Sequence, residues 1–231
     1  MRNLMNAIDA LAQLCPPPAD PPPGVDWGAV ETELGMRLPG DYKRLADAYG
    51  PGDFADFISI CHPHGYTEYS NLTGRMPGII REYVQQDYDQ GKAPVPCHPR
   101  HLFSMGGIGN GEKLFWITDP MDAPDTWRIA GTEDRGLRWF TFDGTLTEFL
   151  VSVLSGETAV PQLPDGLLEE PVGFEPSVPT PWVPVNVRRT PPINTKSIRE
   201  WGRAHGYDVP DRGRVPTEVR EAYDRAQAFR A

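Results

Sequence analysis

Phe142-Asp143-Gly144-Thr145-Leu146-Thr147-Glu148-Phe149-Leu150 decides the fold, because within this stretch an aromatic strand hands over to a helix. The strand pattern of 137–142 ends at Phe142, and Asp143-Gly144 turns the chain. Thr145 with Glu148 three residues later forms a capping box, in which each residue satisfies a backbone N–H of the other. Leu146, Phe149, Leu150, Val153 and Leu154 then make one apolar stripe that stops at Gly156. Upstream, 113–118, 127–130 and 137–142 are short, aromatic-rich and bounded by Gly, Asp or Pro, as strands of an antiparallel meander would be. The run Gly106-Gly107-Ile108-Gly109-Asn110-Gly111 leads into the first of them and is expected to be a hairpin turn. Residues 54–61 predict one strand carrying Phe57, Ile58 and Ile60, and 68–88 a helical period broken near Pro77. Further out, Asp26 caps a helix with Trp27, Val30 and Leu34 inward and Gly35 as its stop. Pro39 opens a second, with Tyr42, Leu45, Ala46 and Tyr49 on one face before Gly50. The predicted class is α+β, with helices flanking a mostly antiparallel sheet.

Prolines set the expected boundaries. Six of the eight residues in 16–23 are proline, and 161–192 contains nine more without hydrophobic periodicity, so both stretches read as extended linkers. The predicted parts are 1–23, an N-terminal helix and Pro-rich segment; 24–160, the main domain; 161–192, a linker; and 193–231, a small two-helix domain. In the polyproline conformation the second linker would reach up to ~100 Å. Leu4, Ile8, Leu11 and Cys15 share one helical face, which predicts a docking helix. No apolar run approaches the roughly 20 residues of a membrane span, and the first residues lack the basic start and cleavage site of a signal peptide. Three widely spread cysteines argue against a disulfide framework, and the expected location is cytoplasmic.

The net charge of −10 conceals a division. Residues 1–185 hold 12 Lys and Arg against 26 Asp and Glu, whereas 186–231 hold 10 against 6. An acidic body thus carries a basic tail, a distribution that suits a polyanion at the tail and a basic protein at the body.

The tail repeats the helix grammar on a smaller scale. Asn194 or Thr195 caps a helix with Ile198 and Trp201 inward, and Gly206 stops it; Pro216 opens another with Val219, Ala222, Tyr223 and Ala226 inward. Between them lies Asp208-Val209-Pro210-Asp211-Arg212-Gly213-Arg214-Val215, with prolines stiffening both sides and Val209 and Val215 tucked beneath. Gly213 lets the backbone approach the floor of a narrow groove while Arg212 and Arg214 extend along it. The minor groove of A·T-rich DNA offers such a floor, with concentrated negative potential and no guanine amino group in the way. Arg188, Arg189, Lys196, Arg199 and Arg203 would add phosphate contacts, which position a protein without reading sequence.

Two family resemblances attach to these residues. Trp27-x-x-Val30-Glu31-x-x-Leu34-Gly35, Leu38-Pro39-x-Asp41-Tyr42, Tyr49-Gly50-x-Gly52-x-Phe54, Gly109-Asn110-Gly111-x-x-Leu114-Phe115-Trp116 and the stretch from Phe142 to Leu150 together resemble the SUKH superfamily, which includes the Smi/Knr cell-wall regulators, over about 24–157. That resemblance implies a non-enzymatic α+β module, many of whose relatives are bacterial immunity proteins that bind polymorphic toxins, often nucleases. Ile198-Arg199-Glu200-Trp201-x-Arg203-x-x-Gly206 followed by Asp211-Arg212-Gly213-Arg214-Val215-Pro216-x-x-Val219-x-x-Ala222-Tyr223 is similar to the C-terminal DNA-binding domain of the Lsr family, the actinobacterial H-NS-like nucleoid-associated silencers, over about 195–227. It implies that Arg212, Gly213 and Arg214 enter the minor groove of A·T-rich DNA. Gly202 stands where that family leads one to expect alanine, and Pro210 where a small polar residue is usual. The N-terminal dimerisation sheet of those silencers is replaced here by the SUKH-like body.

Other chemistry is poorly supplied. Cys61-x-x-His64 and Cys97-x-x-x-His101 have zinc-ligand spacing and make a structural zinc the sharpest alternative, although the SUKH pattern requires no metal. The glycine run lacks the Walker lysine and the dinucleotide spacing, and no Gly-x-Ser-x-Gly elbow occurs. The expected protein is non-enzymatic, needs no cofactor or metal, and joins a protein-interaction or immunity domain to a tail that binds A·T-rich double-stranded DNA at the nucleoid. The alternative is a toxin-immunity protein that neutralises a nuclease through its acidic domain, with the tail accessory.

Overall fold

A computed structural model of the chain describes residues 4–109, 111–133, 138–160, 163, 168, 172–179, 195–210 and 215–228. It divides into two units, Met1–Thr180 and Pro181–Ala231. The first runs α1 (Leu4–Leu14), α2 (Trp27–Leu34), α3 (Gly40–Tyr49), β1 (Gly52–Phe54), β2 (Ile58–Ile60), α4 (Met76–Asp89), β3 (Leu102–Ile108), β4 (Glu112–Ile117), β5 (Arg128–Glu133), β6 (Arg138–Phe142), α5 (Leu146–Leu154) and β7 (Phe174–Pro176). The second holds α6 (Thr195–Ala204) and α7 (Thr217–Ala228). The architecture is α+β, as the patterns predict. Among the described residues no helix is long and apolar enough to cross a membrane.

The seven strands form one antiparallel sheet in the order β6-β5-β4-β3-β2-β1-β7, so each of β1 to β6 pairs with its neighbour in sequence. One face carries the larger core, built from Tyr42, Tyr49, Phe54, Ile58, Trp116, Ile129, Phe149 and Leu150. Leu102, Phe115, Ile117 and Ala130 form a smaller core with Ile80 and Val84 of α4 packed against it. The capping box forms at α5: Glu148 N donates to Thr145 Oγ1 at 3.3 Å and Thr145 N donates to Glu148 Oε2 at 2.8 Å. Gly35 ends α2 with φ 66°, in the left-handed region that glycine reaches without a Cβ clash. The N-terminal helix packs on α5 and α3, burying Leu11, and Tyr49 donates its hydroxyl to the Cys15 carbonyl at 2.7 Å.

Long-range carboxylates also take amides at helix starts, in place of a local cap at α3 and beside the capping box at α5. Asp125 Oδ1 accepts from Gly40 N at 2.6 Å, at the start of α3. Asp41, 4% exposed, accepts from both Thr147 N (3.0 Å) and Thr147 Oγ1 (3.2 Å) at the start of α5. Each takes an amide that the first helical turn leaves without an intrahelical acceptor.

Several local expectations are corrected. The stretch 54–61 is not one strand: the chain reverses at Ala55 and Asp56, with φ of 51° and 59°, so that Phe54 pairs with Ile58 across a tight turn. Pro77 does not break a helix; it sits in the first turn of α4, where a missing N–H costs nothing, and 62–75 is irregular. Gly106 and Gly107 belong to β3 and not to the turn. A Cβ at Gly106 would lie 2.4 Å from the Ser59 carbonyl oxygen and one at Gly107 2.7 Å from that of Glu112, so close backbone approach demands glycine there. Finally, Phe174–Pro176, within the stretch expected to be linker, pairs with β1, Phe54 opposite Phe174 and Gly52 opposite Pro176. Proline is accepted because β7 is an edge strand.

Candidate functional site

The basic tail is held by a small core around the connector between its two helices. Ile198, Val209, Val215 and Val219 are each at most 5% exposed, and Tyr207 and Tyr223 pack against them. The two connector valines are therefore buried at either end of the segment that carries the arginine pair, as their apolar character predicts. Trp201 caps this core from one side. Its ring stacks on His205 at 4.2 Å and on Tyr207 at 6.0 Å, and meets Tyr223 edge-on at 5.5 Å.

The end of α6 explains how the chain enters the connector. Gly206, with φ 83°, donates to the Arg203 carbonyl at 3.2 Å, and Tyr207 N donates to the Gly202 carbonyl at 2.9 Å. This pair of bonds is the Schellman motif, which stops a helix and sends the chain back beneath it. Val209 arrives against Gly202, where a Cβ would lie 2.9 Å from Val209 Cγ2 and 2.7 Å from Val219 Cγ1. The glycine that departs from the resembled family thus leaves room for Val209 of the connector and Val219 of α7 against α6.

The candidate DNA-contacting residues fall into two groups. Lys196, Arg199 and Arg203 lie on α6 at i, i+3 and i+7, hence on one helical face. Lys196 is exposed and lies 4.0 Å from Glu200, Arg199 is half-buried, and Arg203 donates through Nε and Nη2 to the Val209 carbonyl at 3.4 and 3.3 Å. Arg212, Gly213 and Arg214 lie outside the described residues, as do Arg188, Arg189 and the proposed cap Asn194. Sequence reasoning did not find the role of Arg203 toward Val209, although a basic residue in the last turn of a helix is a recognised partner for carbonyls beyond it.

The first unit offers a different surface. A cavity of about 370 Å³ lies beside α4, walled by Tyr69, Met76, Pro77 and Ile80 and floored by the sheet. Register puts Asp53, Ser59, Gly107 and Lys113 opposite one another in a polar row across β1 to β4, and Ser59 Oγ donates to Asp53. Tyr66, Tyr69 and Tyr83 are at least 50% exposed. The zinc alternative meets side chains that are committed elsewhere. Cys61 Sγ donates to the Tyr69 carbonyl at 3.3 Å, and His101 Nε2 accepts from Arg100 Nε at 2.8 Å. Burial pushes the Cys61 thiol up to about 11 and raises that of Cys97. Among the described residues no group of three or more His, Cys, Asp or Glu is placed to hold a metal ion.

Residues 191–226 match the family model of the Lsr2 DNA-binding domain, which supports DNA binding by this C-terminal region. No curated protein and no solved structure matches the chain.

Proposed function

We propose that this protein is a non-enzymatic DNA-binding protein in which Arg212, Gly213 and Arg214 read the minor groove of A·T-rich DNA, and that the tail is coupled to a SUKH-like protein-interaction domain. The match over 191–226 carries the reading, and the buried Val209 and Val215 on both sides of the arginine pair support it. Two arginines spread from a glycine fit a narrow groove of high negative potential, and Lys196 and Arg199 add phosphate contacts from α6. The net charge of the tail is opposite in sign to that of the body, which suits a polyanion at the C-terminal unit. Such a protein would act at the nucleoid in the cytoplasm.

Binding of the full-length protein and of a 1–185 truncation to A·T-rich and G·C-rich duplexes across a salt series tests this reading. Only the full-length protein should bind, with preference for A·T and affinity falling as salt rises. Arg212→Ala with Arg214→Ala should leave the tail folded and abolish binding; retained affinity would sink the groove reading.

A second reading is favoured by the acidic first unit with its cavity beside α4 and its exposed tyrosines: an immunity protein that engages a basic toxin, with the tail accessory. It predicts that neutralisation survives deletion of the tail.

A further inference from the structure

A segment that enters a narrow groove gains affinity when it is already held in the bound shape, because less ordering is left to be done on binding. The connector is fixed at its far end by Val215, 3% exposed, just before α7. At its near end the fixing is more elaborate. The Val209 side chain, 5% exposed, lies against Gly202, and its carbonyl oxygen accepts from both Nε and Nη2 of Arg203. Adjacent residues of α6 thus grip one residue of the connector, the glycine by admitting its side chain and the arginine by holding its main chain. Only Pro210 and Asp211 stand between Val209 and Arg212 in the sequence, and the proline ring fixes one of the few dihedrals that separate them.

We infer that Arg203 is a positioning residue for the connector, gripping the Val209 carbonyl over the seat that Gly202 provides, and not one of the phosphate contacts. The inference rests on the reading of the tail as a DNA-binding domain. A phosphate contact and a positioning residue differ in what they leave behind when removed. Loss of a phosphate contact weakens binding equally on every sequence and lowers the salt slope by about 1. Loss of a positioning residue spares the slope and erodes the discrimination that the positioned arginines supply.

The test uses full-length Arg203→Met, which keeps an unbranched stem, and Arg203→Lys, which keeps the charge but not the planar fork. Affinity for A·T-rich and G·C-rich duplexes is measured across a salt series, and amide hydrogen exchange over 205–210 is measured without DNA. Arg203→Met should speed exchange over 205–210, cut the A·T to G·C affinity ratio about five- to tenfold and leave the slope unchanged, as loss of one hydrogen bond of ordinary strength would. Arg203→Lys should not restore the ratio. Unchanged exchange, with equal loss on both duplexes, a slope lower by about 1 and rescue by lysine, would overturn the inference. If the wild-type protein binds neither duplex, the DNA reading fails, and the exchange measurement still decides whether Arg203 holds the connector.

Discussion

At Gly202 two residue-level effects oppose each other. Alanine there would gain about 1 kcal/mol of helix propensity, yet its Cβ would meet two β-branched side chains with little freedom to turn away. Overpacking of this kind costs about 1–3 kcal/mol, so Gly202→Ala should lower the unfolding midpoint of the tail, read from its helical circular dichroism in the full-length protein. A second residue sets a pH dependence. His62, 2% exposed, accepts from His64 N through Nδ1 at 3.0 Å, and burial, reinforced by His64, pushes its pKa down to about 4. The unfolded chain therefore binds a proton that the folded one refuses between the ordinary value near 6.5 and about 4. Stability should be lost as pH falls through that window, and His62→Gln should flatten this part of a urea-midpoint profile. Neither residue's setting was legible in the sequence: Gly202 stood out only as a departure from a resemblance, and His62 only as a neighbour within the Cys61 and His64 spacing, because both roles depend on what the fold brings against them.

Among elements, those with local signals were legible and those made by distant partners were not. The capping box placed α5, and Gly35, Gly50 and Gly206 marked the ends of α2, α3 and α6, because each signal lies within a turn of the element it defines. β3 was missed because its glycines are required by neighbouring strands, and β7 because three residues opposite β1 leave no periodic trace. The Asp41 link between α3 and α5 spans 106 positions and has no sequence signature. Asp41→Ala would strand the buried Thr147 amide and should cost about 2 kcal/mol in chemical denaturation, whereas Asp41→Asn, which keeps an acceptor, should cost less. In the tail, Trp201 is the largest group against a core of four buried aliphatic side chains, and removing it takes three ring contacts at once. Trp201→Ala, at about 3 kcal/mol or more, should unfold a domain whose size allows little reserve; loss of the tail's helical signal with the first unit intact would show it.

For the whole molecule, composition already separates an acidic part from a basic one, and this division was readable because charge needs no fold to be counted. The extent of the first unit was less so, since proline content suggested that it had ended before Phe174. That ring instead packs between Tyr49 and Phe54, at 5.1 and 4.8 Å, while Ala55 N donates to the Gly173 carbonyl and Ser177 N to that of Pro51, both at 2.8 Å. A chain cut at 172 would uncover two aromatic rings and the outer amides and carbonyls of β1, an open template for another copy's strand. It should sediment as aggregates or dimers where a chain cut at 180 does not, so a short proline-bearing strand serves as the seam that keeps this sheet from growing beyond one molecule.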